Sequence, residues 1–254
     1  MHNENWKIWD RRKDYGELLY NRAIGKLDEM ESAKAVCEIL RPIYNPGMSL
    51  ADVGCGAGHY LRSLLARLDA DIDYTGIDAT EYYIELAQKA FPDQQNFIKG
   101  DIYKIPFDGS TFDIVMSNNL ILHLPPPPLA PFRELIRISR KYVVIRTVFG
   151  KRNYIVKEIR EQEELTSGAV EPQDRLEGEY FDNFNYFNMY TDDYVRYVLK
   201  SIDDDLQVDI FEDTSWQSFD NTQCETGTAT KVVADMQVSG NLLLNWKFIV
   251  VSKP

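Results

Sequence analysis

A glycine-rich segment, Asp52-Val-Gly54-Cys55-Gly56-Ala-Gly58, has the residue types and spacing of a ligand-binding turn. An apolar run from Ser49 to Val53 precedes it and leucines at helical spacing follow it, which predicts a turn between a strand and a helix. Glycines at such a turn let the backbone bend sharply and approach a ligand without a Cβ atom in the way. Asp78 ends the next predicted strand, where a carboxylate can accept hydrogen bonds from both hydroxyls of a ribose.

Two other kinds of nucleotide site fit this pattern less well. A dinucleotide fold favours Gly-x-Gly-x-x-Gly, because the third glycine lets the helix pack closely on its strand and seat a pyrophosphate. That position holds His59, and the P-loop pattern is absent as well. The turn therefore suits a nucleoside without a pyrophosphate. Asp101 closes the third predicted strand at the same edge of the sheet, where open α/β sheets bind their ligands.

Strands and helices alternate around these residues. Five predicted strands, separated by helical segments, begin at Ser49, Ile72, Asn96, Phe112 and Tyr142. This alternation predicts a parallel, doubly wound sheet. With the strand-like segments 206–211 and 242–251, we expect a Rossmann-like α/β fold that has a mostly parallel seven-stranded sheet and helices on both faces.

The charge of the chain argues against nucleic acid as a partner. Its 40 acidic residues outnumber 28 basic ones, for a net charge of −12, whereas a phosphate backbone calls for clustered Lys and Arg. The cysteines Cys37, Cys55 and Cys224 are far apart and no cluster has ligand spacing, so neither a disulfide framework nor a metal site is predicted. The chain shows no signal-peptide core and no apolar run of membrane-helix length, so we expect a soluble cytoplasmic protein without a membrane partner.

These segments together resemble the motifs of the class I S-adenosylmethionine-dependent methyltransferases, in particular the type 11-like group that methylates small molecules. LADVGCGAGHYLRSLLA resembles the first motif, GIDAT the second, GDIYKIPF the third and FDIVMSNNLILHL the fourth. PFRELIRISRKYVVIRT resembles the helix and fifth strand that follow. The resemblance covers residues 48–148 in the family's order and spacing, and it implies an enzyme that binds S-adenosylmethionine and releases S-adenosylhomocysteine.

The resemblance gives the residues of the glycine turn a role toward the methionine moiety of that cofactor. Asp52 would orient the amino group through the turn or a water molecule. Gly54, Gly56 and Gly58, with Cys55 between them, would let the moiety lie against the backbone.

It also implies which residues hold the rest of the cofactor. Asp78 would bind the ribose, with Ala79 beside the adenine. Asp101 would take the adenine amino group with help from the Ile102 backbone, and Asn118 would line the methionine end.

Three residues are candidates for aligning the methyl acceptor: Asn119, His123 and Arg146. His123 follows the fourth predicted strand and would act as a general base near neutral pH, or it packs under the proline run 125–128. Arg146 lies near the end of a buried strand, where an unpaired guanidinium is costly, so it either pairs with an internal acid or faces an anionic acceptor. Asn119 either takes part in the site or caps a turn.

The whole chain is expected to form one methyltransferase domain. Its parts are a helical N-terminal cover (1–47), a cofactor-binding core (48–148), an insertion (149–190), and a C-terminal part of the sheet (191–254) with a loop at 213–241. Trp9, Tyr15 and Tyr20 would belong to the cover. The aromatic residues at 180–190 form either local core or a lid over the acceptor.

The sequence leaves the small-molecule acceptor open, with oxygen or nitrogen favoured over carbon as the methylated atom. Arg146 would favour an anionic group, and HLPPPP and RTVFGKRNYIVKE are similar to stretches in methyltransferases of bacterial surface-sugar pathways. One alternative is another nucleoside-using enzyme, such as a polyamine-type transferase or a nicotinamide oxidoreductase, though the glycine that an oxidoreductase needs at position 59 is missing. A cofactor-binding protein without activity is the other, and the intact acids at 52, 78 and 101 argue against it.

Overall fold

The computed structural model describes residues 8–93, 96–159, 184–214, 231–233, 236–239 and 242–254. Strands β1 to β5 are Ser49–Val53, Asp73–Asp78, Phe97–Lys99, Phe112–Asn118 and Ser139–Phe149. Strands β6 to β11 are Lys157–Ile159, Phe184–Tyr186, Gln207–Glu212, Lys231–Val233, Met236–Ser239 and Leu242–Ser252. Helices α1 to α6 are Lys13–Ala23, Glu31–Leu40, His59–Arg67, Glu81–Ala90, Leu129–Ile138 and Asp192–Ile202, and short 3₁₀ helices span Ile8–Arg11 and Ile121–His123.

The main sheet has the strand order β3-β2-β1-β4-β5-β11, with β8 on the far side of β11. The first five of these strands are parallel to their neighbours, and β11 runs antiparallel to both β5 and β8. These seven strands confirm the predicted doubly wound, mostly parallel sheet. Because the strand order reverses between β1 and β4, a crevice opens at their carboxyl ends, the usual place for a ligand in such sheets.

Successive side chains along a central strand point to opposite faces of the sheet and pack into a separate core on each face. On β4, for example, Ile114 and Met116 belong to a core that includes residues of α2, α3 and α4. Val115, between them, belongs to the opposite core, which includes residues of α5 and α6. A parallel strand buried on both faces reads as a continuous apolar run, and this is why β1, β4 and β5 could be recognised from the sequence.

The two predicted insertions contain strands that the sequence pattern did not reveal. The expected loop 213–241 holds β9 and β10, which pair with each other antiparallel, and β10 also pairs with the start of β11. In the insertion 149–190, β6 and β7 form a separate antiparallel pair. Strands of three or four residues are too short to show a period, so composition alone made these segments look like loops.

The N-terminal segment folds into helices that lie over the glycine turn. Helix α1 packs on α4, where Gly16 leaves no room for a Cβ atom: it would lie 2.7 Å from the ring of Tyr83. The hydroxyl of Tyr83 donates to the carbonyl oxygen of Arg12 at 2.9 Å, and that of Tyr82 donates to Glu17 at 2.6 Å. None of the described helices combines the length and the apolar character needed to cross a membrane.

Candidate active site

A cavity of about 550 Å³ opens at the carboxyl ends of β1, β2 and β4, where the strand order reverses. Its size lies within the range of about 300–1,000 Å³ that is usual for a small-molecule site. The sequence-predicted residues on its wall are Gly54, Gly56, Asp78, Ala79, Asp101, Ile102, Asn118, Asn119 and His123. Helix α1 and the 3₁₀ helix before it add Trp9, Tyr15 and Leu19.

The glycine turn presents its backbone to this cavity. Gly54 and Gly56 have φ values of 85° and 55°, in the left-handed region that side-chain-bearing residues rarely adopt. A Cβ atom on Gly56 would lie 2.7 Å from the side chain of Leu19, and one on Gly54 would lie 2.9 Å from that of Leu120. Gly58 faces the core, where a Cβ would lie 3.1 Å from the ring of Phe97. Without Cβ atoms, Gly54 and Gly56 fit against the side chains at the cavity wall, and Gly58 fits against the core behind it.

Asp78 joins the end of β2 to the glycine turn. One carboxylate oxygen accepts a hydrogen bond from the Gly56 amide and the other from the Thr80 amide, both at 2.9 Å. Burial raises the pKa of Asp78, although these two hydrogen bonds oppose the shift. A carboxylate can accept about four hydrogen bonds, so the group has acceptor capacity for a diol as well.

Two residues of the turn segment lie behind the cavity rather than on it. Asp52 is 1% exposed and accepts a hydrogen bond from the hydroxyl of Tyr74 at 3.0 Å. Burial, together with the negative charge of Asp78, raises the pKa of Asp52 to about 7. Cys55 packs in the core, and burial raises the pKa of its thiol. A role for either residue toward a ligand would have to pass through the backbone of the turn.

Asn118 ends β4 at the wall of the cavity. Only 6% of the residue is exposed, yet neither its amide oxygen nor its amide nitrogen has a partner among the residues that the structure describes. A buried polar group without a partner costs about 1–3 kcal/mol. Such an amide beside a glycine turn is able to bind a polar ligand.

His59, the first residue of α3, lies on the cavity wall beside the turn. Burial lowers the pKa of its ring to about 3, so the imidazole is neutral at physiological pH. In the sequence, His59 stands out only as the residue that replaces a third glycine. Its place directly after the turn was the signal that could have identified it as part of the wall.

Arg146 does not reach the cavity. Its Nε donates to Asp213 Oδ2 at 2.7 Å and its Nη1 to Asn119 Oδ1 at 2.5 Å, while its guanidinium carbon lies 4.0 Å from the centre of the Trp246 indole. Of the two alternatives drawn from the sequence, pairing with an internal acid is the one observed. Asp213 follows β8 within the predicted loop, so the sequence offered no way to choose this partner.

Asn119 is placed between this buried arginine and the cavity. It has a φ of 58°, its amide donates to the Arg146 carbonyl oxygen at 2.9 Å, and its side-chain oxygen faces the guanidinium. Its side-chain nitrogen is then directed toward the hydroxyl of Tyr60, at 3.5 Å on the cavity wall.

His123 lies on the wall of the cavity and is held by β7. Its Nδ1 lies 2.8 Å from the carbonyl oxygen of Tyr186 and 3.1 Å from Oδ1 of Asn185. Trp9 and Phe187 approach the imidazole edge-on, with ring centroids at 5.0 and 5.8 Å. The ring therefore lines the cavity and is fixed from behind, rather than only filling space beneath the prolines.

The other predicted aromatic residues divide between the cavity and its surroundings. Trp9 and Tyr15 line the cavity and pack on each other at 5.3 Å, whereas Tyr20 lies against the ammonium of Lys89. In the aromatic segment, Phe184 is buried in the β6–β7 pair. Residues 180 and 181 lie outside the described residues. No group of His, Cys, Asp or Glu side chains in the described part of the chain is arranged to hold a metal ion.

Residues 51–145 match the family model of the methyltransferase domain. These residues form a class I methyltransferase domain. This confirms the family suggested by the sequence motifs, with S-adenosylmethionine as the cofactor of the domain.

Part of this chain is similar in sequence to methyltransferases from other organisms. A sterol 24-C-methyltransferase of Gibberella zeae is 27% identical over 130 residues, 49% of this chain and 32% of that protein. Cycloartenol-C-24-methyltransferase 1 of Oryza sativa subsp. japonica is 35% identical over 100 residues, 37% of this chain and 28% of that protein. The chain thus spans about a third of the length of these curated relatives.

A solved structure shares the fold over nearly the whole chain. Phosphoethanolamine N-methyltransferase 2 of Haemonchus contortus, solved in complex with S-adenosylmethionine, has a TM-score of 0.63. The sequences are 13% identical, and the match covers 99% of this chain and 60% of that one. At this identity the similarity shows the fold alone.

Proposed function

We propose that this chain binds S-adenosylmethionine in the cavity and transfers its methyl group to a small-molecule acceptor. The observation that carries the proposal is the unpartnered amide of Asn118, buried beside a glycine turn whose Gly54 and Gly56 present backbone to the same space. An amide offers both a donor and an acceptor, as the ammonium and carboxylate of a methionine moiety require. The residues present therefore fit the cofactor of the domain.

Other residues on the wall suit the nucleoside half of the cofactor. Asp78 would accept hydrogen bonds from the ribose hydroxyls, while its existing hydrogen bonds hold the turn in place. Asp101, with the Ile102 backbone, would take the adenine amino group, and Ala79 would lie beside the ring. When bound, S-adenosylmethionine supplies an electrophilic methyl group on a sulfonium that already has a good leaving group.

The remaining task is to align the acceptor and keep water out. Trp9, Leu120 and Leu124 provide apolar surface on the wall that also carries His123. His123 would accept the proton that an O–H or N–H acceptor loses on methylation, which is the usual contribution of a positioned base.

On the described wall, no lysine or arginine is free to bind an anionic acceptor. Four carboxylates line the cavity: Asp10, Asp78, Glu81 and Asp101. Lys99 is the one lysine or arginine on this wall, and it pairs with Glu81 at 2.8 Å. Since Arg146 is directed at Asp213 instead, the reason for expecting an anionic acceptor is removed.

Calorimetry tests the cofactor assignment. S-adenosylmethionine and S-adenosylhomocysteine should bind, whereas NAD should not. Asp78→Ala should weaken S-adenosylhomocysteine by about 1–3 kcal/mol, the range for a hydrogen-bonded charged group. Asp73→Ala, at the exposed start of the same strand, should leave the affinity unchanged. Equal affinities of the two variants would contradict the binding of the ribose by Asp78.

Transfer of radiolabelled methyl from S-adenosylmethionine into a metabolite extract tests the activity. We expect label in a small polar compound, on oxygen or nitrogen. A second candidate is carbon methylation of a sterol, because two of the relatives are sterol-type C-24 methyltransferases. Label recovered only from a sterol fraction would favour the second candidate. Binding of the cofactor with no label in either fraction would indicate a binding protein.

A further inference from the structure

The strand pair β6–β7 of the insertion lies against the 3₁₀ helix that carries His123. Two hydrogen bonds from Asn188 fasten this contact: its amide donates to the Leu122 carbonyl oxygen at 2.8 Å, and its Nδ2 donates to the Leu124 carbonyl oxygen at 2.7 Å. Within the pair, Glu158 and Asn185 face each other in register. The insertion thus brings a carboxylate and a buried amide behind the histidine.

The three side chains form a chain of hydrogen bonds. Nδ2 of Asn185 donates to Glu158 Oε2 at 2.7 Å, and Oδ1 of Asn185 lies 3.1 Å from Nδ1 of His123. A carboxylate can only accept, so Asn185 must turn its amino group toward Glu158. Its oxygen then faces His123, which must carry a proton on Nδ1. The Tyr186 carbonyl oxygen, at 2.8 Å from the same nitrogen, requires the same tautomer.

We propose that Asn185 and Glu158 are positioning residues that hold His123 as the Nδ1–H tautomer and so assign Nε2 as its basic nitrogen. This inference rests on the proposed function, because it specifies which atom of His123 receives the proton. In the transfer, the acceptor forms a bond to the methyl carbon, the carbon–sulfur bond breaks with its electron pair going to sulfur, and the acceptor's proton moves to Nε2. The proton is later released to solvent.

The surroundings of Nδ1 stabilise the charged ring that this step creates. Two acceptor oxygens, from Asn185 and Tyr186, face the Nδ1–H bond, and hydrogen bonds to a charged donor are roughly twice as strong as neutral ones. The carboxylate of Glu158 adds a negative charge one residue further away. Glu158 and Asn185 act through His123.

The tautomer can be measured directly by NMR of protein labelled with ¹⁵N-histidine, in the presence of S-adenosylhomocysteine. The chain has three histidines, and His59→Gln and His123→Gln assign the signals. The wild type should show Nδ1 protonated on neutral His123. Because the Tyr186 carbonyl oxygen still accepts from Nδ1, Asn185→Leu and Glu158→Ala should raise the population of the Nε2–H form without making it complete. Glu158→Gln keeps an acceptor oxygen for Asn185 and should retain the wild-type tautomer, and Lys151→Ala, exposed on the same insertion, is the control.

Steady-state rates with the fraction that accepts label provide the second readout. Asn185→Leu and Glu158→Ala should lower kcat at least about tenfold, part of the 10²–10⁴ that a positioned base contributes. The KM for S-adenosylmethionine should not change. Glu158 is exposed, so its alanine variant tests the same link if Asn185→Leu fails to fold. An Nε2–H tautomer in the wild type, or unchanged tautomer and kcat in Glu158→Ala, would overturn the inference. A wild type that does not bind S-adenosylhomocysteine would instead overturn the proposed function.

Discussion

Arg146 and Asp213 form an ion pair that is closed off from solvent, with 5% and 1% of the two side chains exposed. Nη2 of Arg146 lies 2.6 Å from Oδ2 of Asp213, and the Asp213 amide donates to the Trp246 carbonyl oxygen at 2.9 Å. The pair therefore ties the end of β5 to the segment that follows β8. Because Arg146 also holds Asn119, it connects this segment to the wall of the cavity.

Breaking the pair should destabilise the protein without changing its affinity for the cofactor. Asp213→Ala leaves a buried, uncompensated guanidinium, which should lower the free energy of unfolding by about 3–5 kcal/mol. The double variant Arg146→Met/Asp213→Leu should recover most of that loss, since an apolar pair avoids the desolvation of two charges. Denaturant unfolding and calorimetry with S-adenosylhomocysteine measure the two effects. A stable Asp213→Ala protein with an altered KM for the acceptor would give the pair a role in substrate recognition.

The exposed pair of Glu38 on α2 and Arg41 directly after it is the matched control for this comparison. Its charges remain in water whether or not they pair, so Arg41→Ala should leave the free energy of unfolding nearly unchanged.

Alanine substitutions at Gly56 and Gly47 should separate backbone strain from the effect on the site. Both glycines have positive φ, 55° and 87°, so each alanine should cost about 1–2 kcal/mol of stability. Only Gly56→Ala places a Cβ against Leu19, at 2.7 Å, whereas nothing lies within 4 Å of one on Gly47. We expect S-adenosylhomocysteine to bind about tenfold more weakly to Gly56→Ala, a loss of about 1.4 kcal/mol, and normally to Gly47→Ala. Equal affinities would mean that the turn and Leu19 shift to accommodate the added Cβ atom without changing the cofactor site.

The sequence predicted the parts of the site that local patterns encode. The strand, the glycine turn and the helix after it occur in order within twenty residues, and each leaves its own local pattern: an apolar run, closely spaced glycines and leucines at helical spacing. The carboxyl ends of β1 and β2 then bring Gly54 and Asp78 to one edge by the geometry of a parallel sheet.

Contacts between distant segments leave no local pattern in the sequence. Asp213 meets Arg146 from 67 residues away, and Asn185 meets His123 from 62 residues away. Asn185 lies on a strand of three residues, and Asp213 lies in the segment predicted as a loop after β8, so no local pattern marks either partner. For this reason the sequence could identify Arg146 and His123 as candidates but not decide between their alternative roles.

Asp52 should make the stability of the ligand-free protein depend on pH. Its pKa rises from the ordinary 3.8 to about 7 because burial penalises the charged form. A raised folded-state pKa contributes stability that is complete below the unfolded pKa and is lost as the pH rises through the folded one. The free energy of unfolding should therefore fall between about pH 4 and pH 7, by up to about 1.4 kcal/mol per pH unit.

Asp52→Asn removes this titration and keeps an acceptor for the Tyr74 hydroxyl. The variant should match the wild type near pH 4 and exceed it in stability at pH 8, as measured by urea unfolding at both pH values. Asp73→Asn, exposed on the neighbouring strand, should follow the wild-type curve. Parallel pH curves for Asp52→Asn and the wild type would show that the buried carboxylate is ionised throughout.

Asn118→Leu should stabilise the ligand-free protein while it weakens cofactor binding. The native amide is 6% exposed, with both polar atoms unpartnered among the described residues, so leucine, which has the same branching at Cγ, removes a desolvation cost. Asn188→Leu is the matched control, because that buried amide donates to Leu124 and its loss should lower the Tm. Thermal unfolding with and without S-adenosylhomocysteine measures both effects: Asn118→Leu should start from a higher Tm and gain less from the ligand. If instead its Tm falls and the ligand-induced gain stays at the wild-type value, the amide is bonded within the protein, and Asn118 does not bind the methionine moiety.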